Sequence, residues 1–157
     1  MGMRDQNVAI IGEASPDWVF SYFALMSIGA VTVPIDKELP VVEATADSDS
    51  VYGTIDVLDV RFGSLWTNIP RKLFLETGVG YGDRVIITIE NDTRCVYRNI
   101  IQFARSFADV HVGEALTYVN SLDCVAVAIN QGSFARAYNV GTGNSWRIRI
   151  EPFQGFF

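Results

Sequence analysis

Asp83-Arg-Val-Ile-Ile-Thr-Ile-Glu90, then Asn91-Asp92, then Thr93-Arg-Cys-Val-Tyr-Arg-Asn-Ile-Ile101 is the stretch that decides the fold. Val85, Ile87 and Ile89 share one face of a chain with period two, the signature of a half-buried strand. Asn and Asp suit a tight turn between antiparallel strands, so 93–101 is the returning strand. The same grammar extends outward. Residues 51–59 have strand character, and 115–120 and 124–129 are two more short strands. Residues 145–150 alternate Trp146, Ile148 and Ile150 against Arg147 and Arg149, a half-exposed final strand. Residues 70–75 suit a single helical turn. Short strands parted by Gly, Asn and Asp turns predict a mainly β chain, with a small antiparallel barrel-like C-terminal domain.

The N-terminal residues read differently. Residues 8–11 are a short apolar run closed by Gly12. Ser15-Pro16-Asp17 starts a helix: Ser15 caps, Pro16 suits the first helical position, and Asp17 complements the dipole. Residues 18–28 are apolar nearly all round, so the helix over 16–28 calls for burial on more than one side, against the barrel or a second chain. Gly29 stops the helix, 31–33 return as a strand, and Pro34 ends it. The expected organisation is a strand–helix–strand appendage over 1–40, a polar linker over 41–50, and a β-barrel domain over 51–157. Charge follows this division. Residues 1–50 hold two basic and eight acidic residues, and 51–157 hold ten of each.

Composition excludes several classes. With 157 residues, 49% apolar and 19% charged, the chain is long and apolar enough to fold. Two cysteines and one histidine, His111, supply neither a disulfide framework nor a tetrahedral metal site. A lone histidine without a nucleophile elbow argues against a Ser-His-Asp set. A net charge of -6 argues against a nucleic-acid backbone as partner. Residues 18–35 carry no charge, but they hold two serines, Thr32, Gly29 and Pro34, so they read as a buried helix plus strand, not a membrane span. The first residues lack the basic start of a secretory leader, which predicts a cytoplasmic protein. Gly12-Glu-Ala-Ser-Pro16 sits where a phosphate loop could sit, but it matches neither nucleotide-binding glycine motif. No metal or cofactor is implied. Cys95 and Cys124 read as buried thiols.

The polar and aromatic residues that remain fall into three segments. Asp59-Val-Arg-Phe-Gly-Ser-Leu-Trp-Thr-Asn68 joins charge at Asp59 and Arg61 to flat faces at Phe62 and Trp66. Gly63 permits close approach, and Ser64 and Asn68 supply hydrogen-bonding groups. Asn120-Ser121 and Asn130-Gln131 bracket one short strand, and their amides offer a donor and an acceptor to a purine edge. Phe107 follows in a loop-like stretch. Each has a plain alternative: a strand end with core aromatics, turn chemistry, and a loop aromatic plugging a barrel end.

Those segments carry a resemblance. Arg61-Phe-Gly-Ser-Leu-Trp-Thr-Asn-Ile69, Ser106-Phe-Ala-Asp-Val110, Asn120-Ser121 and Ala128-Ile-Asn-Gln-Gly-Ser133 resemble the C-terminal domain of the S-adenosylmethionine hydrolases. These are also called S-adenosylmethionine hydroxide adenosyltransferases and are relatives of the fluorinase. The resemblance covers about 51–150. It implies a seven-stranded barrel-like domain forming one wall of an adenosyl site, which a neighbouring subunit completes in a trimer. On that basis Asp59, Phe62, Ser64 and Trp66 face the ligand, and Phe107 packs on the adenosine. Asn120 and Ser121 lie near the methionine end, and Asn130 and Gln131 meet the adenine edge. Ser64 replaces the usual asparagine, and Ile129 replaces an arginine of some halide-using members, favouring the hydrolase branch. The family's water-activating Asp, Arg and His belong to a large N-terminal domain with no counterpart here. The resemblance therefore implies weak binding of adenosine or S-adenosylmethionine and no turnover by this chain alone. The alternative is a structural, self-associating module from a fused or truncated gene. Residues 7–40 are similar instead to an early strand–helix–strand of adenylate-forming acyl-CoA synthetases, without that family's phosphate loop.

Overall fold

The computed structural model describes residues 6–11, 15–35 and 42–155, and the chain divides into two compact units, 1–41 and 42–157. The fold is mainly β, with 43% strand and 18% helix.

In the first unit β1 (Asn7–Ile11) pairs in parallel with β2 (Val31–Ile35), and α1 (Pro16–Ser27) crosses between them. Ser15 caps α1, its Oγ accepting the Trp18 N–H at 3.2 Å. Strand β2 runs one residue past Pro34, which is tolerated because both strands of a two-stranded sheet are edge strands, where a missing N–H can be spared. Gly12–Ala14, the rejected phosphate-loop position, lies outside the described residues. Within this unit α1 is left largely uncovered. None of its residues is buried, and Phe20 and Phe23 are exposed. A layer of two strands is too narrow to cover a helix that is apolar all round.

The second unit is a closed seven-stranded barrel. Its strands are β4 (Val51–Leu58), β5 (Leu65–Pro70), β6 (Arg84–Glu90), β7 (Cys95–Phe103), β8 (Ala115–Val119), β9 (Cys124–Ile129) and β10 (Gly143–Pro152). The order around the barrel is β10-β6-β7-β8-β9-β5-β4, and β4 closes it by pairing with β10. The predicted hairpin is β6–β7, with Val85 opposite Ile101 and Ile89 opposite Tyr97. One pairing departs from the antiparallel expectation: β7 and β8 run parallel, joined only at Gln102–Leu116 and Phe103–Thr117. Within the stretch expected as a linker, β3 (Thr45–Ala46) pairs with Tyr52 and Val51 of β4. Two small residues carry no alternation from which a strand could be read.

Alternation fills the core. Val85, Ile87 and Ile89 meet Ile148, Ile150, Val51, Ile55, Leu65, Ile69, Val125 and Val127, all of them buried. Aromatics plug the barrel at opposite ends of β7. Phe74 of α2 (Arg71–Leu75) packs edge-on against Phe103 at 4.9 Å. Phe134 of α3 (Phe134–Tyr138) packs against Tyr97 at 4.8 Å. The cysteines differ from expectation: Cys95 is exposed on β7 and Cys124 is half-buried at the start of β9. Among the described residues no helix is long and apolar enough to cross a membrane.

Candidate functional site

A second, smaller apolar cluster lies on the outer face of the barrel. Ala104, Leu116 and Ala128 are its buried members, and Phe107, Val110 and Tyr118 pack against them. Register explains the cleft beside it. Trp66 of β5 and Tyr118 of β8 both pair with Ala126 of β9, so the three form a row across neighbouring strands. Val125 and Val127 belong to the core, which leaves Ala126 and Ala128 facing outward. Small residues on β9 between aromatic neighbours make a trough.

The cleft has a volume of about 830 Å³. Asp59, Phe62 and Trp66 line it from the β4–β5 side. Phe107, Asn120, Ser121, Asn130 and Gln131 line it from the β8 and β9 connections. Residues before and after β9 thus reach one site because it runs along the strand. Phe107 sits in a single 3-10 turn, half-buried, 5.2 Å from the Tyr118 ring. Ser106 and Asp109 hold that turn: Ser106 Oγ accepts the Ala108 N–H, and Asp109 Oδ2 accepts the N–H groups of Arg105 and Ser106.

Loop 59–64 is built by backbone bonds. The Asp59 N–H donates to the Ser64 carbonyl at 2.9 Å, and the Gly63 N–H donates back to the Asp59 carbonyl at 2.6 Å. Gly63 has φ +67°, and a Cβ there would overlap the Ser133 side chain and backbone. Glycine is required on both counts. The Gly63 carbonyl accepts the Ala135 N–H at 3.0 Å, tying the loop to the start of α3. Phe62 is thereby presented on the loop, 58% exposed.

Ser64 is the site candidate that does not reach the cleft. It is 1% exposed, and its Oγ is buried without a hydrogen-bond partner. Alternation after the turn sends Leu65 into the core and Trp66 outward, and Ser64 closes the loop through its carbonyl. Asn120 and Asn130 have structural duties as well as places in the lining. Asn120 Oδ1 accepts the Leu122 N–H at 2.9 Å and the Cys124 N–H at 3.1 Å, closing the β8–β9 turn. Its Nδ2 is buried and unpartnered. Asn130 Nδ2 donates to the Val110 carbonyl at 2.9 Å, and its backbone N–H and carbonyl both bond to segment 113–114. Gln131 is left with the freer backbone, in the left-handed region at φ 58°. Asn68 stays outside the cleft; its Oδ1 accepts the Thr54 N–H at 2.8 Å.

Ser133, which ends segment 128–133, lines the cleft too; Tyr118 and Arg136 also line it and were not singled out in the sequence. Tyr118 could have been suspected as an aromatic on the outward face of β8. Arg136 carries no local signal, because a five-residue helix has no periodicity to read. The only histidine in the sequence, His111, is exposed and lies outside the cleft lining. The Cys124 thiol is pushed up by burial, then by Asp123 and Asp56, which disfavours a thiolate nucleophile.

Fold and cleft together define a closed barrel module with a trough on its outer wall, faced by aromatics and rimmed by amides. Residues 53–147 match the SAM hydroxide adenosyltransferase C-terminal domain, and the chain belongs to that family. It is 35% identical over 109 residues to the fluorinase of Nocardia brasiliensis, covering 69% of this chain and 35% of that protein. It is 34% identical over 97 residues to the fluorinase of Actinopolyspora mzabensis, covering 61% of this chain and 31% of that one. The chain therefore spans about a third of the length of these relatives. An uncharacterized conserved protein from Thermotoga maritima shares the fold with a TM-score of 0.60 and 27% identity, over 71% of this chain and 40% of that one.

Proposed function

We propose that the cleft is one wall of an adenosyl site, and that the chain holds adenosine or S-adenosylmethionine weakly. The observation that supports this is the convergence of Phe62, Trp66 and Phe107 with Asn120, Asn130 and Gln131 around one trough. An adenine needs a flat face to stack on and donors and acceptors at its edge. Stacking on one aromatic contributes about 1–3 kcal/mol, which by itself means millimolar or weaker affinity. A trough on an outer wall encloses less of a ligand than a deep pocket. The family reaction, S-adenosylmethionine and water giving adenosine and methionine, needs a group that activates water. The lining holds one carboxylate, Asp59, and the resemblance places the water-activating group on the family's N-terminal domain. A second subunit closing the cleft, as in a trimer, supplies it.

Calorimetric titration of adenosine and S-adenosylmethionine tests binding, and chromatography for released adenosine tests turnover. The expected result is weak heat that Trp66→Ala abolishes, with no adenosine released above buffer. Unchanged heat in Trp66→Ala, or clear turnover by the chain alone, defeats the proposal. A self-associating module without ligand is the second reading. It is favoured by exposed Val60, Phe62 and Leu122 on the two loops at the cleft. Light scattering that shows oligomers, with no nucleoside heat, would establish it.

A further inference from the structure

The barrel wall is open between β7 and β8. The two strands meet only at Gln102–Leu116 and Phe103–Thr117, and the rest of β7 has no strand opposite it on that side among the described residues. Register says which backbone groups are left over. The Phe103 N–H donates to the Asp83 carbonyl at 2.8 Å, and the Phe103 carbonyl accepts the Gly82 N–H at 2.7 Å, so Phe103 faces the β6 side. Backbone groups alternate sides along an antiparallel strand, so Ile101, Asn99 and Tyr97 face β6 too, opposite Val85, Ile87 and Ile89. Ile100 and Arg98 therefore aim theirs at the gap. The Ile100 N–H is taken up by the neighbouring Asn99 Oδ1 at 2.8 Å, not by a strand. The gap is a slot of about 410 Å³, lined by Asn99, Ile100 and Gln102 on one wall and by Val110, Gly113 and Ala115 on the other. The far wall offers no competing edge at 113–114, because the Gly113 N–H and the Glu114 carbonyl both turn to the Asn130 backbone. Asn99 holds a core-facing position, in step with buried Tyr97 and Ile101, yet it is exposed because no strand covers it. Ile100 faces outward and is 41% exposed, and Val112, between two residues of the far wall, is 67% exposed.

We propose that this slot is a docking site for an extended peptide of a partner protein, which adds as a strand to the free edge of β7. The peptide turns hydroxyl-bearing residues inward and apolar residues outward. The groups left over on β7 recur at every second residue, about 6.6 Å apart, and another extended backbone repeats at the same spacing. The slot lies within the barrel wall, between two elements of one sheet. A strand already paired on both sides cannot enter it, whereas a single extended segment can. Alternation sets the side-chain preference: one face of the added strand meets the Asn99 amide, and the other lies level with Ile100. In the empty protein Asn99 blunts the edge, as natural sheet edges are guarded against indiscriminate pairing. Its side chain gives up the Ile100 N–H when the peptide arrives. The adenosyl reading of the cleft plays no part here, so the two stand or fall separately.

The probe is a capped pentapeptide, threonine–valine–serine–valine–threonine, and the control is the same peptide with every amide N-methylated. Amide NMR of the full chain follows the titration. The expected result is saturable shifts at Arg98 and Ile100, slower hydrogen exchange at both, and binding of the N-methylated peptide weaker by about tenfold or more, the loss of one or more backbone hydrogen bonds. Asn99→Ala frees the Ile100 N–H and strengthens binding. Ile100→Pro removes that N–H without touching the β6 ladder and abolishes binding. Circular dichroism checks that Ile100→Pro folds, and the N-methylated control decides the matter without it. Equal binding of the two peptides, no binding at millimolar peptide, or shifts that fall on Trp66 and Phe107 in place of Arg98 and Ile100 overturns the proposal. Shifts of the Arg98 and Ile100 amides on raising protein concentration alone would make a second copy the occupant, and that too overturns it.

Discussion

Gly63→Ala puts the construction of the cleft loop to a quantitative test, with Gly78→Ala as its control. Both glycines have positive φ, +67° and +82°. They differ in surroundings. A Cβ at Gly78 meets nothing within 4 Å, whereas one at Gly63 collides with the Ser133 side chain and Cα. The left-handed conformation costs an alanine about 1 kcal/mol more than glycine. Gly78→Ala carries that cost alone. Gly63→Ala adds an overlap with backbone that cannot rotate away, of the order of 1–3 kcal/mol for overpacking. The expected losses are therefore about 1 kcal/mol for Gly78→Ala and about 3 kcal/mol for Gly63→Ala. Urea unfolding followed by tryptophan fluorescence measures both, with unchanged m-values showing that only stability has moved. Gly63→Ala also pushes loop 59–64 off Ser133, so nucleoside heat disappears, while Gly78→Ala binds as the parent does. Equal losses in the two variants would refute the close approach of Gly63 to Ser133.

Two further substitutions probe buried polar groups. Tyr97 is 5% exposed, and its hydroxyl lies beside the Asn99 amide without completing a bond to any partner. Burial, and then the neighbouring Tyr138 phenol, push its pKa up to about 12, from an ordinary 10.0. The folded state therefore holds this proton more tightly than the unfolded chain. The stability so gained is present below pH 10 and is lost as pH rises towards 12. Two pH units amount to about 2.7 kcal/mol, the upper bound on this contribution. Tyr97→Phe should flatten that alkaline loss in denaturation curves and stabilise the protein by about 1 kcal/mol at pH 7, since an unpartnered hydroxyl is removed. Identical alkaline limbs in the two proteins would count against it. Asn120→Ala removes the acceptor of the Leu122 and Cys124 N–H groups and should cost about 2 kcal/mol in urea unfolding. A loss below about 0.5 kcal/mol, the ordinary range for surface changes, would show that the turn closes without it.

Those parts of the fold whose signal is local are legible in the residues alone. Val85, Ile87 and Ile89 declare a half-buried strand, Asn91-Asp92 its turn, and Trp146, Ile148 and Ile150 the closing strand, because side chains alternate faces at every residue. Ser15-Pro16-Asp17 declares a helix start because the cap and its first-turn partners lie within three residues. The polar and aromatic segments that line the cleft were legible as residue types. Their arrangement was not. Trp66, Ala126 and Tyr118 form a row only because β5, β9 and β8 pair in one register, which couples positions some sixty residues apart. A slip of one residue would turn every one of them to the other face. That register lays the site along β9, leaves Ser64 buried behind its own turn, and brings Arg136 to the lining from a helix too short to announce itself. It also turns two asparagines into anchors of turns and loops. β3 and the parallel join of β7 to β8 are two-residue contacts with no period of their own. Local alternation specifies which residues pair with water and which with a core. Only the closing of the barrel specifies which of them meet.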